Sequence, residues 1–174
     1  MPEQLSVDRS KTAVLIMDYQ NRQLGSITTD SPDELLARAN GVLAKARRES
    51  IPVIYIEVRR GERTRETEIH PEIIPQPGEQ VLTKRRVGPF STTNLDALLK
   101  QQTIETLVLM GISTSGCVLS TVRWAADIDY RTIVLSDCCA DRDEEVHRVL
   151  VGKIFPRQAT VVTAEEFHKA LEND

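Results

Sequence analysis

The chain lacks the features that mark several classes of protein. Only three of its 174 residues are cysteine, and two of these are adjacent at Cys138 and Cys139, so no disulfide framework is expected. A formal net charge of −4 does not favour binding to nucleic acid or to anionic lipid. No apolar run approaches the roughly 20 residues that span a bilayer, and the N-terminus lacks the basic and apolar regions of a signal peptide. We therefore expect a cytoplasmic protein with neither nucleic acid nor membrane as a partner.

What the sequence does contain is a regular alternation of apolar runs and amphipathic segments. This pattern is typical of a parallel sheet covered by helices on both faces. The length and the 40 % apolar content fit one globular domain over residues 1–174. We predict a three-layer α/β/α, doubly wound fold with a largely parallel, six-stranded sheet. The predicted strands are 13–17, 52–58, 81–83, 105–110, 132–136 and 160–162, and the predicted helices are 34–48, 94–101, 115–126, 143–151 and 164–171.

The segment 59–78 departs from this alternation because it is long, charged and contains proline. A loop of that length in a compact domain is usually functional or mobile. Its charges mix both signs, so a solvated surface loop is the simpler interpretation. A lid over the site or a contact between subunits is the alternative.

The most informative stretch is the run from Leu109 to Val118, which contains Cys117. Cys117 lies where a predicted strand turns into a predicted helix. Unpaired backbone N–H groups and the positive end of the helix dipole favour a thiolate at such a position. They can lower a thiol pKa from about 8.5 to about 3.5–7.5. We therefore expect Cys117 to be a nucleophile with a lowered pKa.

Two more candidate catalytic residues lie at the ends of predicted strands. Asp18 follows the first strand and Lys84 follows the third. Ligands of doubly wound sheets bind beyond the carboxyl ends of the strands, so these side chains and Cys117 should converge there. A carboxylate can take the proton of a thiol and return it to a leaving amine, and a lysine can stabilise the negative charge. Each residue alone could be structural, but their shared position favours catalysis.

Four motifs, in this order, resemble the isochorismatase-like superfamily of cysteine hydrolases, and the resemblance covers nearly the whole chain. They are Asp18-Tyr-Gln-Asn21, then Lys84 with Phe90-Ser-Thr-Thr-Asn-Leu95, then Gly111-Ile-Ser-Thr-Ser-Gly-Cys-Val118, and a tail with Ala125, Tyr130, Val134 and Asp137. The resemblance implies a catalytic triad of Asp18, Lys84 and Cys117. It also implies a cis peptide between Ile112 and Ser113, and an oxyanion hole made by the backbone N–H groups of Ser113 and Cys117.

The superfamily contains several chemistries. Its nicotinamidases bind a divalent metal through an Asp-x-His motif that this chain lacks, and His70, His147 and His168 are scattered, as surface residues would be. We therefore expect no metal and no cofactor. True isochorismatases cleave a vinyl ether and generally lack the cysteine. The run Thr114-Ser-Gly-Cys-Val118 resembles N-carbamoylsarcosine amidase and related enzymes. It implies hydrolysis of a C–N bond in a small amide, carbamoyl or ureido substrate through a thioester.

Other residues have weaker assignments. Tyr19, Arg59, Phe90 and Trp124 lie at or just beyond strand ends and are candidate substrate-binding residues, although each could equally serve packing. Cys138 and Cys139 follow the fifth predicted strand and are expected in the core or behind the site. The acidic run 141–145 needs no role beyond the start of a helix.

Three activities remain as alternatives to C–N hydrolysis. They are vinyl-ether hydrolysis, nicotinamidase-like amide hydrolysis, and a non-catalytic thiol protein for redox sensing or binding. A redox sensor would not need both Asp18 and Lys84. We further expect a homo-oligomer, a dimer or a tetramer, with a small molecule as the substrate.

Overall fold

A computed structural model describes residues 5–172, and the predicted domain limits at residues 1 and 174 lie outside this range. Its centre is a sheet of six strands in the order β3-β2-β1-β4-β5-β6, and every neighbouring pair is parallel. The strands are β1 (Thr12–Met17), β2 (Val53–Val58), β3 (Gln80–Lys84), β4 (Thr106–Ile112), β5 (Arg131–Ala140) and β6 (Thr160–Val162). The strand order reverses between β1 and β4, which is the switch point of a doubly wound sheet. The predicted fold class is confirmed.

Helices cover both faces of this sheet. They are α1 (Asn21–Leu24), α2 (Pro32–Arg48), α3 (Leu95–Gln101), α4 (Leu119–Asp127), α5 (Glu144–Val149) and α6 (Ala164–Glu172). Two π-helical turns, Thr114–Val118 and Leu150–Ile154, precede α4 and follow α5. Short 3-10 turns occupy Arg9–Lys11, Arg65–Thr67, Pro71–Ile73 and Phe155–Arg157. The sequence pattern missed α1 and both π turns.

The core consists of two apolar layers, one on each face of the sheet. Val14 and Ile16 of β1 face the layer that contains α2 and α6, whereas Leu15 and Met17 face the layer that contains α3 and α4. Every residue of β1 is buried because both of its faces are covered. A strand covered on both faces reads as one continuous apolar run rather than as an alternation. This is why the sequence located the central strands well.

Strand β5 is longer than predicted, and Cys138 and Cys139 lie within it rather than after it. Its register against β4 shifts between Leu109 and Gly111, as at a β-bulge. The polar pair Ser136-Asp137 looked like a strand end in the sequence. In the structure Ser136 Oγ donates to Val162 O at 3.1 Å, and Asp137 Oδ1 accepts from Ala164 N at 2.8 Å. Both polar side chains are therefore satisfied inside the sheet.

The segment 59–78 is attached to the turn that follows β1. The buried side chain of Gln20 accepts a hydrogen bond from Val58 N at 2.8 Å and donates to Val58 O at 3.0 Å. Its amide also donates to Thr67 O, and His70 N donates to Tyr19 O at 3.0 Å. The segment is thus an ordered wall beside the carboxyl ends of β1 and β2.

Candidate active site

Asp18, Lys84 and Cys117 meet at the carboxyl edge of the sheet. Asp18 follows β1 directly, Lys84 is the last residue of β3, and Cys117 lies in the π turn between β4 and α4. The long side chain of Lys84 reaches past β2 and places Nζ 2.8 Å from Asp18 Oδ2. The Cys117 thiol donates to Ile112 O at 3.1 Å, and it lies near enough to the same carboxyl group for the two to influence each other's pKa. Asp18 Oδ1 is buried and has no hydrogen-bond partner among residues 5–172. One carboxylate therefore pairs with the cation and lies beside the thiol.

Backbone geometry brings these side chains to one point. Asp18 has a φ of 58°, in the left-handed region where aspartate is several-fold enriched. This conformation ends the extended path of β1. The bond between Ile112 and Ser113 is cis, at the position that the resemblance implied. A Cβ on Gly116 would lie only 2.9 Å from Ser113 Oγ, so a larger residue there would require the Ser113 side chain to move.

Asp141 holds in place the turn Thr114–Val118, the nucleophile turn, which carries the candidate nucleophile Cys117. Its side chain is buried, and Oδ2 accepts a hydrogen bond from Ser115 N at 2.7 Å. Its carbonyl oxygen accepts from Thr28 N at 2.9 Å, which links the turn to the segment after β1. The expectation that residues 141–145 serve only to start a helix is therefore wrong for Asp141, although Asp143 does cap α5 through Val146 N. The signal that could have found Asp141 is its place just beyond the true end of β5.

Burial sets the protonation states of the site. It raises the pKa of Asp18 to about 6, although the Lys84 ammonium acts in the opposite direction. Burial also raises the pKa of the Cys117 thiol well above its usual range, and the negative charge of Asp18 adds to this effect. The expected lowering of the Cys117 pKa is wrong because desolvation of the thiol outweighs the nearby ammonium. At neutral pH the site therefore holds a thiol beside an ionised carboxylate.

The triad lies at the base of an open cleft of about 420 Å³. This volume is at the small end of the range of about 300–1,000 Å³ for small-molecule sites. Ser113 and Gly116 line the base together with Cys117. Around the mouth stand five arginines, which are Arg22, Arg59, Arg60, Arg86 and Arg142. The cleft thus joins the buried thiol of Cys117 to a strongly cationic entrance.

Among the described residues, Arg59 is the one predicted substrate-binding residue that lines this cleft. Tyr19 follows the left-handed turn at Asp18 into the opposite core layer, where its hydroxyl donates to Cys138 O at 2.7 Å. Phe90 and Trp124 stack on each other at 6.2 Å, and Trp124 faces outward from α4 beside Arg123 and Asp127. Tyr19, Phe90 and Trp124 therefore do not line this cleft.

The three histidines are more constrained than surface residues. The Nδ1 atom of His147 is 2.7 Å from Thr114 Oγ1 at the start of the nucleophile turn, and burial lowers the pKa of His147. Burial also lowers the pKa of His168. The Nδ1 atom of His70 accepts from Glu72 N at 3.3 Å. Within residues 5–172 no three histidine, cysteine or acidic side chains converge as a metal site, and no helix in this range is long and apolar enough to cross a bilayer.

The chain is similar to known proteins over the region that contains the candidate site. A sequence model of the isochorismatase domain matches residues 12–166, a range that includes Asp18, Lys84 and Cys117. The isochorismatase family protein YwoC of Bacillus subtilis is 30 % identical over 187 residues, covering 96 % of this chain and 97 % of the relative. The ureidoacrylate amidohydrolase RutB of Pantoea ananatis is 28 % identical and covers 95 % of this chain and 80 % of the relative.

A solved structure from Chromobacterium violaceum, assigned to the isochorismatase family, superposes on this chain with a TM-score of 0.91. The two sequences are 26 % identical, and the match covers 100 % of both chains.

Proposed function

Since this chain belongs to the isochorismatase family of hydrolases, we propose that it hydrolyses a C–N bond of a small amide, carbamoyl or ureido compound through a thioester on Cys117. The observation that carries this proposal is that one carboxylate, Asp18, pairs with Lys84 and lies beside the Cys117 thiol, and that all three residues line one cleft. The similarity to RutB, named as an amidohydrolase that acts on ureidoacrylate, supports C–N chemistry.

The first half of the reaction forms the thioester. Asp18 takes the thiol proton while the sulfur of Cys117 attacks the substrate carbonyl carbon, and the carbonyl π electrons move to oxygen. The backbone N–H groups of Ser113 and Cys117 donate to this oxyanion, each worth roughly 3–4 kcal/mol in comparable sites. The oxyanion then collapses, the C–N bond breaks, and the departing nitrogen takes the proton from Asp18. Lys84 stabilises the carboxylate that is thereby restored.

The second half releases the acid. Asp18 takes a proton from water as the water oxygen attacks the thioester carbon, and the same N–H groups hold the second oxyanion. Its collapse breaks the C–S bond, and the sulfur of Cys117 regains a proton from Asp18. Over both halves, one water hydrolyses one C–N bond, and the products are a carboxylic or carbamic acid and an amine. No step needs an additional oxidant or reductant.

The raised pKa of the Cys117 thiol disfavours the alternative of a redox sensor. Oxidants react with thiolates, and sensor cysteines are accordingly exposed and of low pKa. Cys117 is instead buried and protonated at rest, with a base beside it. This arrangement suits a nucleophile that is activated only during attack.

We test the proposal with an ammonia-release screen over small amides, ureas and carbamoyl amino acids. Cys117→Ser is expected to lower turnover of any substrate found by at least about 10³-fold, because the nucleophile is lost. The acyl-enzyme on Cys117 should be visible by mass spectrometry of the intact wild-type protein.

Cys138→Ala is the matched control for this screen. It also removes a buried thiol, but the Tyr19 hydroxyl bonds the backbone oxygen of Cys138, so that contact remains. The control should keep turnover near the wild-type rate, and EDTA should leave the rate unchanged. A Cys117→Ser variant that retains more than about a tenth of the rate would rule out the thioester mechanism.

A further inference from the structure

The charge around the cleft is opposite to that of the whole chain. The chain carries a formal net charge of −4. The cleft, in contrast, is lined by six cationic side chains and one carboxylate, and that carboxylate, Asp18, is already paired with Lys84. The remaining five cations are the arginines at the mouth. Clefts lined by one sign of charge concentrate ligands of the opposite sign.

Two of these arginines are neutralised by acidic neighbours outside the cleft. Arg22 lies 2.8 Å from Glu66. Arg59 lies 3.3 Å from the buried Glu57, whose carboxylate also accepts from Thr83 Oγ1 at 2.8 Å. These two side chains therefore have structural partners. Because each of them already pairs with a carboxylate, Arg22 and Arg59 do not by themselves indicate a ligand.

Arg60, Arg86 and Arg142 are different, because none of them has a carboxylate within 4 Å among residues 5–172. Each is exposed, and each comes from a different segment, after β2, β3 and β5 respectively. The carbonyl oxygen of Arg86 also accepts from Lys84 Nζ at 3.2 Å, so this part of the rim adjoins the triad directly. The Arg86 guanidinium donates only a long hydrogen bond, from Nη1 to Arg85 O at 3.4 Å. Three guanidinium groups without a carboxylate partner thus surround the entrance to a buried candidate nucleophile.

We propose that the substrate carries an anionic oxygen group, a carboxylate or a phosphate-like group, beside its scissile C–N bond, and that Arg60, Arg86 and Arg142 bind this group. Guanidinium groups present paired N–H donors that match carboxylate and phosphate oxygens. This inference rests on the proposed function for the reaction, but it concerns the recognition of the substrate rather than its cleavage. It predicts preference for anionic over neutral amides of the same length.

The first experiment compares three primary amides of similar length. They are succinamate, which carries a carboxylate, 3-phosphonopropanamide, which carries a phosphonate, and butanamide, which is neutral. We expect kcat/KM for at least one of the two anions to exceed that for butanamide by about tenfold or more, since a hydrogen-bonded charge is commonly worth that factor. The better of the two anions identifies the group that is bound.

The second experiment uses Arg60→Gln, Arg86→Gln and Arg142→Gln, with Arg157→Gln as the matched control. Arg157 is exposed and precedes the amino end of β6, at the opposite edge of the sheet. The variants at the mouth should raise KM for the preferred anion by about threefold to tenfold each, and should lower kcat/KM for butanamide by a smaller factor, because butanamide has no charge for them to bind. The control should change neither value, although it removes the same net charge.

Binding is measured separately from turnover, so that a failure of the chemistry and a failure of recognition can be told apart. Calorimetry on Cys117→Ala with succinate should show binding that weakens in the variants at the mouth. If wild-type enzyme hydrolyses butanamide as well as both succinamate and 3-phosphonopropanamide, and the variants alter none of these rates, the inference on recognition is overturned while the hydrolase proposal stands. If succinate binds at the arginines but no C–N substrate is turned over, the hydrolase proposal fails instead.

Discussion

Asp18 is the residue on which the chemistry of this site depends most. It must be ionised to take the thiol proton, yet burial favours its neutral form and raises its pKa to about 6. The Lys84 ammonium, 2.8 Å away, limits this rise. Asp18 is therefore ionised at neutral pH but still basic enough to accept a proton from sulfur. A carboxylate with its usual pKa near 4 would be a much weaker base.

We predict a rise in kcat/KM with pH through a midpoint of about 6, with a slope of one. Below the midpoint Asp18 is protonated and cannot act as the base, and above it the carboxylate predominates. Lys84→Met should move the midpoint to higher pH by about one to three units, because the stabilising positive charge is lost. The measurement is a series of kcat/KM values between pH 4.5 and pH 9. A midpoint that does not move in Lys84→Met would remove Lys84 from the electrostatics of the site.

At this scale the sequence could locate the three candidate catalytic residues but not their protonation states. Asp18, Lys84 and Cys117 lie at or just beyond the ends of strands, and strand ends converge in a parallel sheet. The pKa of Cys117 depends on how completely neighbouring elements cover the thiol, which no local pattern encodes. The position of the Tyr19 ring could not be predicted either, because it depends on the left-handed conformation of the preceding residue, Asp18, which directs the ring into the layer that contains α2 and α6.

At the level of secondary structure, the π turn Thr114–Val118 is hydrogen-bonded to the residue just past the end of β5. Asp141 lies just past β5 and accepts from Ser115 N, so the strand end holds the backbone of the nucleophile turn. Thr114 in the same turn contacts His147 of α5. The turn is thus fixed from two later elements of the chain. Neither contact could be read from the sequence, because the sequence pattern ends β5 at residue 136, short of Asp141, and misses the π turn.

We predict that Asp141→Ala lowers kcat markedly while leaving the pH midpoint of the reaction near 6. Loss of the acceptor leaves Ser115 N without its partner, which should cost about 1–3 kcal/mol of unfolding free energy and loosen the turn. Asp141→Asn keeps an acceptor oxygen and should restore part of kcat. The measurements are pH profiles and urea unfolding for both variants.

Asp143→Ala is the control for the Asp141 variants, because Asp143 only caps α5. It should cost about 1 kcal/mol of stability and leave kcat unchanged. Equal losses of kcat in Asp141→Ala and Asp143→Ala would mean that Asp141 acts through stability alone.

At the scale of the whole molecule, the proposed catalytic role of the buried pair of Asp18 and Lys84 comes at a cost in folding stability. Lys84 Nζ and Asp18 Oδ2 lie 2.8 Å apart, with side chains that are only 2 % and 7 % exposed. Removing one partner of a buried pair leaves an uncompensated charge, whereas removing both is often neutral. On the proposed mechanism the pair therefore serves the chemistry rather than the fold.

We predict that Asp18→Asn alone raises the unfolding free energy at pH 7.5 by up to about 3 kcal/mol. Burial raises the pKa of Asp18 to about 6, so its ionised form is less favourable in the folded than in the unfolded chain, and Asn carries no charge. Asn has nearly the same shape as Asp and tolerates the left-handed backbone at this position. Lys84→Met alone should lower the unfolding free energy, because the buried carboxylate loses its counter-charge, and adding Asp18→Asn should recover this loss, although the double variant remains inactive. Urea unfolding of the wild type, both single variants and the double variant measures the coupling. Strictly additive changes would show that the two charges do not stabilise each other.

The global architecture was the part most readily predicted from the sequence. Central strands such as β1 and β4 are buried on both faces, so they appear as unbroken apolar runs. The cleft walls were the least predictable, because Arg60, Arg86 and Arg142 are exposed residues on loops. An exposed arginine has no periodic partner, and only the folded chain shows which ones face the nucleophile.

The strand order has a consequence for how such an enzyme can diverge. The reacting side chains sit at the buried ends of β1, β3 and beyond β4, whereas the arginines at the mouth occupy exposed positions after β2, β3 and β5. Substitutions at exposed sites usually change stability by less than about 0.5 kcal/mol, whereas on the proposed mechanism the reacting side chains cannot be replaced singly without loss of activity. A descendant gene can therefore acquire new selectivity one point mutation at a time, and inherits its hydrolytic chemistry together with the fold.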